Sequence, residues 1–515
     1  MNTPIRKRGL LAGLGAMVAV AALALGGTAA TAAPLDAVPD SVPVVIDKRS
    51  QPATLGDPAT GEEIQSPPGT GIGGVIFEYY LVTGTGAGQA NDIGTEVGQA
   101  YAGTLTAATA PIPGTATGSF PATNTAAPIG QTTATLPRGL YVVKESVTPA
   151  GVTPAADFLL AVPLTDPTNL DEWLSTIYVY PKNAQVEATK SVNDAASLVV
   201  GSDVTWTIET EIPRNPNPAG TPAFVAPDAF EIHDTLTDSE LLLSTAATNP
   251  IVVTAGGTTL DEGTHYTVTP VAGTGTTTYE IVFTQPGRQA LADAVNADTA
   301  ATVTVQLVTT VQSAVVIGNQ ASIYTDQKSI DEDTPLVTDE VESKYGSYRI
   351  VKESSDATVT DLSGAQFRVY ATEAAALAGG NDYLTPTDNT GVVQSIWTTD
   401  TDGTVTIQGL RYSGWANGGV VNVGDAGYQS YWLVEVTALE GHQLFPEPIE
   451  IVIDDASVTQ TSQTIVNQAN EGGFVLPLTG GMGTAILTIG GVAILATVIL
   501  LARRRSRSDD TVAAA

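Results

Sequence analysis

The chain has 515 residues, no cysteine, and a formal net charge of −33 at pH 7. The missing cysteines exclude disulfides, and they argue against a structural zinc site because such sites use cysteine thiolates. The negative charge argues against a nucleic-acid partner, since contacts with phosphates require a surplus of Lys and Arg. We therefore expect no nucleic acid, no metal and no other cofactor.

The first 32 residues have the layout of a secretory signal peptide. Three basic residues at 6–8 precede an apolar run at 10–25, and small residues follow at 30–32. This order of charge, apolar run and small residues marks a segment that directs export and is then removed. The sequence predicts a secreted protein that is cleaved after Ala32.

The segment between the signal and the C-terminal end has the pattern of β domains. Runs such as 204–208 and 301–307 alternate between apolar and polar residues, with the period of two that half-buried strands require. Turn residues separate such runs, and only two short helices are predicted, over 285–296 and 373–378. The predicted fold class is all-β, with three tandem immunoglobulin-like sandwiches.

An internal repeat sets the predicted domain boundaries. Similar segments occur in the same order twice, at 74–80, 141–145 and Gly151, and again at 364–370, 431–435 and Gly441. The outer thirds of the chain are therefore expected to be copies of one unit, with a different β domain between them. We predict domains over 34–183, 184–345 and 346–472.

An acidic run precedes the third domain and contains Asp326, Asp331, Glu332, Asp333, Asp339 and Glu340. Its charge predicts a solvated linker. A calcium loop stays open as the alternative, because closely spaced carboxylates are the ligands that Ca²⁺ prefers.

Residues 476–515 combine three features in a fixed order. They are the pentapeptide Leu476, Pro477, Leu478, Thr479, Gly480, an apolar run at 483–502, and arginines from 503 onward. A helix rises about 1.5 Å per residue, so the apolar run is long enough to cross the hydrocarbon core of a bilayer. The arginines favour the cytoplasmic side, which leaves the β domains outside the cell.

This order resembles the cell-wall sorting signal of Gram-positive surface proteins. The resemblance implies that a membrane sortase cleaves between Thr479 and Gly480 and keeps the threonine acyl group. It also implies that the chain ends up attached to peptidoglycan at the cell surface. An ordinary membrane anchor is the alternative interpretation of the same segment.

The repeated unit resembles the Cna B-type immunoglobulin-like domain, and its Tyr-x-x-x-Glu stretch resembles the E-box of Gram-positive pilins. In that family a lysine on the first strand bonds to an asparagine on the last strand, promoted by the E-box glutamate. The resemblance implies two such sets, Lys352, Glu435 and Asn467 in the third domain and Lys48, Glu145 and Asn183 in the first. The third-domain E-box departs from the family pattern at Val436 and Glu440, where Thr and Pro are usual, but it keeps the glutamate.

The middle domain resembles the Cna A-type unit, whose cross-link uses an aspartate. The matching positions are Lys190, Asp234 and Asn319. Glu231 is close to Asp234 in the sequence and stays open as its substitute.

These residue types have a physical reason of their own. Burial lowers the pKa of a lysine, which makes available the free amine that attacks an amide. Burial raises the pKa of a carboxylic acid, which can then donate a hydrogen bond to the asparagine carbonyl and carry the proton that leaves with ammonia. We therefore expect autocatalytic isopeptide bonds and no other enzymatic activity.

Residues 173–183 resemble the pilin motif of sortase-assembled shaft pilins, with Ile177 as the single exchange. In the family the motif lysine, here Lys182, attacks the acyl-sortase and becomes joined to the threonine of the incoming subunit, here Thr479. Such a head-to-tail contact does not close and therefore makes a filament of identical subunits.

The resemblance further implies a set of partners. They are a pilus-specific sortase, a housekeeping sortase, minor tip and base pilins, and peptidoglycan. A monomeric wall-anchored adhesin, whose immunoglobulin-like stalk binds a host or bacterial receptor, is the alternative function.

Overall fold

The computed structural model describes residues 38–52, 59–84, 92–217, 221–388, 390–454 and 462–470. These residues divide into two compact units. The first unit contains the residues up to Gly346, together with Pro386–Val392 and Gly409–Tyr428, and the second contains Ser347–Thr385, Val393–Gln408 and the residues from Gln429 onward. Strands dominate both units, which confirms the predicted all-β fold class.

The N-terminal part of the first unit is a β-sandwich. Its elements are β1 (Ser41–Asp47), β2 (Arg49–Ser50), β3 (Ile76–Leu81), α1 (Glu96–Ala102), β4 (Gly118–Ser119), β5 (Gln131–Pro137), β6 (Gly139–Val147), β7 (Phe158–Val162), β8 (Ile177–Val179) and β9 (Lys182–Asn183). One sheet has the order β5-β1-β8, the other has the order β4-β3-β6-β7, and β2 pairs with β9. The inward side chains of these strands, including Val44, Ile46 and Phe77, form one apolar core.

A second sandwich follows within the first unit. Its elements are β10 (Ala188–Asn193), β11 (Asp203–Glu211), β12 (Asn215–Pro216), β13 (Phe224–Val225), β14 (Glu231–Thr237), β15 (Leu241–Leu243), β16 (Ile251–Ala255), β17 (Thr258–Thr259), β18 (Tyr266–Ala272), β19 (Thr276–Phe283), α2 (Gln285–Ala297), β20 (Thr302–Val311), β21 (Val316–Asn319), β22 (Ala321–Tyr324), α3 (Gln327–Asp331) and β23 (Leu336–Val337). Its two sheets have the orders β10-β11-β20-β16-β17, with β15 on β20, and β18-β19-β14-β22-β23. The core between them includes Trp206, Phe230 and Phe283.

The remaining elements belong mainly to the second unit. They are β24 (Val341–Ser354), β25 (Gln366–Tyr370), α4 (Glu373–Ala378), β26 (Trp397–Thr398), β27 (Thr404–Arg411), β28 (Trp415–Ala416), β29 (Gly419–Val420), β30 (Tyr431–Thr437), β31 (Ile449–Ile451) and β32 (Ser462–Asn467). One sheet has the order β26-β25-β30-β31, while β24 pairs with β21, β27 and β32. The short pair β28 and β29 lies in the first unit.

The two predicted helices are present as α2 and α4, and two further helices were not predicted. Both of these, α1 and α3, are too short to show an apolar period, and they begin at capping residues. The Thr95 side chain accepts a hydrogen bond from Gly98 N at 3.1 Å at the start of α1. Caps of this kind satisfy backbone N–H groups that the first turn of a helix leaves unpaired.

Five of the six carboxylates in the acidic run are exposed to solvent, as expected of a solvated segment, and the exception is Asp326. Asp326 is only 4% exposed and caps α3, where its carboxylate accepts from Ser329 N at 2.8 Å. The run continues into β23, which pairs with β22. Its first acidic residue therefore stabilises a helix terminus, because a carboxylate there pairs with free N–H groups.

Several predicted segments lie outside the described residues: the signal peptide at 1–32, the pentapeptide at 476–480 and the apolar run at 483–502. Within the described part of the chain, no helix has the length and apolar character needed to cross a membrane. The same part contains no group of three or more His, Asp or Glu side chains placed to hold a metal ion.

Candidate functional site

Three lysines have their side chains buried inside the sandwiches, which is rare for this residue type. They are Lys48, Lys190 and Lys352, each with a side chain that is 0% exposed. Each amine has a carboxylate within 3.1 Å, from Glu145, Asp234 and Glu435 respectively. The structure therefore brings each lysine to the carboxylate that was predicted for it.

In the first sandwich, strand geometry places Lys48 next to Asn183. The alternation that buries Val44 and Ile46 in β1 continues to Lys48, which directly follows that strand. The following strand, β2, runs parallel to β9, and Ser50 is the register partner of Asn183. The first and last strands of this sandwich are therefore neighbours, although Lys48 and Asn183 are distant in sequence.

The side chains of Lys48, Glu145 and Asn183 form a closed cluster. The Lys48 amine donates to Glu145 Oε2 at 2.9 Å and also contacts Asn183 Oδ1. The Asn183 amide donates through Nδ2 to Glu145 Oε1 at 2.6 Å. The carboxylate thus bridges the amine that would attack and the nitrogen that would leave.

The environment of this cluster favours the free amine. Burial lowers the pKa of the Lys48 amine from 10.5 to about 8, and the Glu145 carboxylate limits that drop. The amine also lies 5.6 Å from the centroid of the Phe77 ring. The apolar surroundings therefore bring the loss of the amine's proton down to about pH 8, against the attraction of the carboxylate.

The second unit repeats this arrangement. Lys352 in β24 is the register partner of Ile465 in the parallel strand β32, and Asn467 ends that strand. The Lys352 amine lies 3.1 Å from Glu435 Oε1, while Asn467 Nδ2 donates to Glu435 Oε2 at 2.8 Å. Burial lowers the pKa of the Lys352 amine as well.

The middle sandwich uses a different set of elements. The Lys190 amine in β10 donates to Asp234 Oδ2 at 2.6 Å and to the Gln320 carbonyl at 3.0 Å. Burial lowers the pKa of Lys190 and raises that of Asp234. Asn319, which immediately precedes Gln320, is 3% exposed.

The choice between Asp234 and Glu231 follows from the alternation of β14. Asp234 lies on the buried face of the strand, whereas Glu231 and His233 lie on the half-exposed face. The Glu231 carboxylate contacts His233 Nε2 at 2.9 Å. The structure therefore brings Asp234, and not Glu231, to the lysine.

Backbone N–H groups also donate to the glutamates of the two clusters. These backbone donors were not predicted. Ala155 N donates to Glu145 Oε2 at 3.0 Å, and Phe445 N donates to Glu435 Oε2 at 2.7 Å. In both cases the donor follows its glutamate by ten residues. A peptide N–H has no sequence signature, so only the repeat of this spacing could have indicated it.

A further backbone donor contacts the asparagine of the second unit. Leu439 N donates to Asn467 Oδ1 at 3.2 Å, while Asn467 Nδ2 donates to Glu435. We expected the acid to donate to the asparagine carbonyl, but the structure places the carboxylate at the amide nitrogen. A peptide N–H near the carbonyl oxygen stabilises the charge that develops there during attack on an amide.

Lys182 lies directly beside the first cluster but faces away from it. It precedes Asn183 in β9 and is the register partner of Arg49. Partial burial lowers the pKa of the Lys182 amine. The Tyr180 hydroxyl accepts a hydrogen bond from Ile64 N at 2.6 Å, so the segment between β2 and β3 contacts the chain just before β9. Thr479, its predicted partner, lies outside the described residues.

Family models match three parts of the chain. They are the N-terminal domain of Gram-positive pilin subunit D1 over residues 39–184, a prealbumin-like fold domain over residues 346–468, and an LPXTG cell wall anchor motif over residues 468–510.

Two curated relatives are fimbrial subunits. Fimbrial subunit type 1 of Actinomyces viscosus is 31% identical over 398 residues, which cover 71% of this chain and 73% of the relative. Fimbrial subunit type 2 of Actinomyces naeslundii is 28% identical over 398 residues, which cover 73% of this chain and 71% of the relative.

Solved structures of pilins have the same fold. The fimbrial protein FimP from Actinomyces oris is 25% identical with a TM-score of 0.55, over 83% of this chain and 97% of that chain. The full-length major pilin SpaD from Corynebacterium diphtheriae is 22% identical with a TM-score of 0.60, over 84% of this chain and 97% of that chain. The chain therefore belongs to the fimbrial subunits of Gram-positive bacteria, as the major subunit of a sortase-assembled covalent pilus that is anchored to the cell wall.

Proposed function

We propose that this subunit is linked into the pilus shaft by a bond between its Lys182 amine and the Thr479 carboxyl group of the next subunit. The observation that carries the proposal is the position of Lys182 in β9. Successive residues of a strand point to opposite faces, so Asn183 is buried while Lys182 lies on the outer face. The short strand β9 thereby presents the Lys182 amine, which would receive the acyl group, to the outside. It presents Asn183, the partner of the internal cross-link, to the inside.

Each of the three domains proposed above, at 34–183, 184–345 and 346–472, would contain one internal isopeptide bond. In the first domain the Lys48 nitrogen attacks Cγ of Asn183, a bond forms between these atoms, and the bond from Cγ to Nδ2 breaks. Glu145 takes a proton from the lysine nitrogen and delivers one to Nδ2, which leaves as ammonia. Counted from the ion pair, the lysine ammonium loses two protons, of which one leaves with ammonia and the other stays on Glu145, which ends as the neutral acid.

The same steps apply to the other two domains. Glu435 would promote the bond between Lys352 and Asn467, with Leu439 N supporting the carbonyl oxygen. Asp234 would promote the bond between Lys190 and Asn319. In each domain the reaction also removes a buried ion pair, whose desolvation is costly.

The position of the bonds suits a fibre that carries tension. In the first and third domains the reacting strands pair in parallel at the edge where the chain enters and leaves the domain. Force applied at Lys182 or at Thr479 would pass through covalent bonds between these strands. The sandwich interiors would bear little of this force. The isopeptide bonds would thus take the place of the disulfides that reinforce other exported proteins.

This proposal implies a specific set of partners. A pilus-specific sortase would transfer the Thr479 acyl group to Lys182, and a housekeeping sortase would attach the finished fibre to peptidoglycan. Minor tip and base pilins would occupy the fibre ends.

The test is the covalent ladder that cell-wall extracts give in detergent gels. With Lys182→Ala we expect the ladder to collapse to the monomer, whereas Lys144→Ala leaves it intact. Lys144 is a matched control because it lies in the same domain and pairs with Asp157 on the surface at 3.0 Å. Tandem mass spectrometry of fibres should find a peptide that joins Lys182 to Thr479. A ladder that persists in Lys182→Ala would exclude this linkage.

A further inference from the structure

The first cross-link cluster lies at the junction between the first and second sandwiches, both within the first unit. The chain leaves β6 just after Glu145, makes the loop 148–155, and returns with Ala155 N donating to Glu145. The linker 184–186 begins immediately after Asn183. Two of the three groups of the cluster are therefore adjacent to segments at this junction, Glu145 to the loop between β6 and β7 and Asn183 to the linker that leads to the second sandwich.

The loop and the linker hold each other through backbone hydrogen bonds. Thr153 N donates to the Ala184 carbonyl at 2.9 Å, and Val186 N donates to the Gly151 carbonyl at 2.9 Å. The position of the loop is thus tied to the chain that follows Asn183. Any movement of this loop would shift the N–H that orients the Glu145 carboxylate.

A lysine from the second sandwich fixes the other end of the loop. The Lys328 amine donates to the Ser146 carbonyl at 3.0 Å, to Thr148 Oγ1 at 3.2 Å and to the Glu145 carbonyl at 3.4 Å. All three acceptors lie where β6 ends and the loop begins. The acidic residue closest to this amine on its own helix, Glu332, is 4.0 Å away.

The second sandwich holds Lys328 in place by the cap of α3. Asp326 accepts from Ser329 N and is almost fully buried, and the Ser329 hydroxyl bonds back to the Asp326 carbonyl. Gln327 N donates to Asp228 Oδ1 at 3.2 Å, which ties the helix to the loop before β14. Lys328 therefore occupies its position only when the second sandwich is folded.

We propose that Lys328 is a positioning residue for the cross-link between Lys48 and Asn183. By holding the end of β6, it orients Glu145 and makes formation of the first bond depend on docking of the second sandwich. The proposal rests on the isopeptide chemistry proposed above. It predicts an order of maturation, in which the first domain becomes cross-linked only after the second domain has folded against it.

The test follows bond formation during refolding of the mature chain, which is purified unfolded so that no bond has yet formed. Peptide mapping by mass spectrometry measures the three linked peptides over time. With Lys328→Met, which keeps the length of the side chain but removes its donors, we expect the Lys48 to Asn183 bond to form about tenfold more slowly, because small misplacements of reacting groups are costly. The other two bonds should form at the wild-type rate.

Two further variants separate positioning from a general loss of charge. Lys328→Arg retains donors and should restore most of the rate, while Lys144→Met removes a surface cation beside Glu145 and should change nothing. An unchanged first-bond rate in Lys328→Met, or equal slowing of all three bonds, overturns the proposal. Absence of the first bond in the wild-type chain would instead contradict the isopeptide chemistry of that domain.

Discussion

Ala155 donates its backbone N–H to the Glu145 carboxylate at 3.0 Å, across a loop that closes on the end of β6. The same contact recurs in the second unit between Phe445 and Glu435. In both places the other carboxylate oxygen contacts the asparagine amide or the lysine. The backbone of the loop thus aims each glutamate at the two groups between which it would move a proton.

Replacing Glu145 should abolish the first bond alone. We expect Glu145→Ala to retain about 17 Da of ammonia that the wild-type chain loses, because among the described residues Glu145 is the side chain that contacts both Lys48 and Asn183. The cross-link closes a loop of more than a hundred residues, so its absence should lower the stability of the first sandwich by about 4 kcal/mol. Intact mass and urea unfolding measure both effects.

The matched control is Glu78→Ala. Glu78 lies in the neighbouring strand β3 but bonds to the Tyr80 hydroxyl at 2.7 Å and takes no part in the cluster. Its variant should have the wild-type number of bonds. If Glu145→Ala also shows the full mass loss, the carboxylate is not needed for the reaction.

The members of each cluster were predicted from the resemblance to the Cna units, and strand alternation explains how the fold can bring them together. Lys48 and Lys352 each lie next to a parallel last strand, and the alternation of β1 continues onto Lys48. The backbone donors Ala155, Phe445 and Leu439 were not predicted, since every residue except proline has such an N–H. Their use depends on loop geometry.

Within the acidic run only Asp326 departs from the expected solvated segment, and the cause is the cap of α3. High charge indicates a solvated segment, yet Asp326 is buried because its carboxylate caps α3. Lys328, which appears in the sequence as an ordinary surface lysine, finds three acceptors in the preceding sandwich. Contacts between segments so far apart in the sequence leave no periodic pattern from which they could be predicted.

The middle bond should depend on Asp234 and not on Glu231. Asp234→Ala should abolish the bond between Lys190 and Asn319, and should leave the lysine buried without its partner at a cost of about 3 kcal/mol. Glu231→Ala removes a half-exposed carboxylate. Within the described residues its ion pair is with His233 and not with Lys190, so the bond should form normally. Peptide mapping distinguishes the two outcomes, and a lost bond in Glu231→Ala would reverse this assignment.

A buried aspartate in the first unit predicts a stability effect that is independent of any cross-link. The Asp194 carboxylate is fully buried and accepts from Asn417 N at 2.6 Å and Ser343 Oγ at 2.5 Å. We expect Asp194→Ala to destabilise the first unit by about 3 kcal/mol, because both donors lose a charged acceptor. Urea unfolding followed by tryptophan fluorescence measures this change.

The companion variant is Asn417→Gly. Asn417 has a φ of 53°, which glycine adopts without strain, so this change removes only the Oδ1 acceptor of Asp194 N and Ala195 N. The loss should be about 1 kcal/mol. If Asp194→Ala costs no more than Asn417→Gly, the buried carboxylate adds nothing to stability.

The rate of the first cross-link should be flat near neutral pH and should fall above pH 8. The reacting form has a free Lys48 amine and a protonated Glu145, and it holds the same number of protons as the ion pair. As long as the ion pair predominates, raising the pH therefore does not change the fraction of molecules in the reacting form. The Lys48 amine has a pKa of about 8, and above this value the pair loses its one proton. Glu145 can then no longer protonate the leaving nitrogen, so the rate should drop about tenfold per pH unit.

Refolding of the unfolded mature chain at pH 6 to 10, with the linked peptide quantified over time, measures this profile. Tryptophan fluorescence on the same samples shows whether folding itself has slowed, which separates the chemical step from assembly of the sandwich. A rate that instead climbs through pH 9 would mean that the free amine alone limits the reaction. In that case Glu145 would act by placing Asn183 and Lys48 side by side, and not by transferring the proton between them.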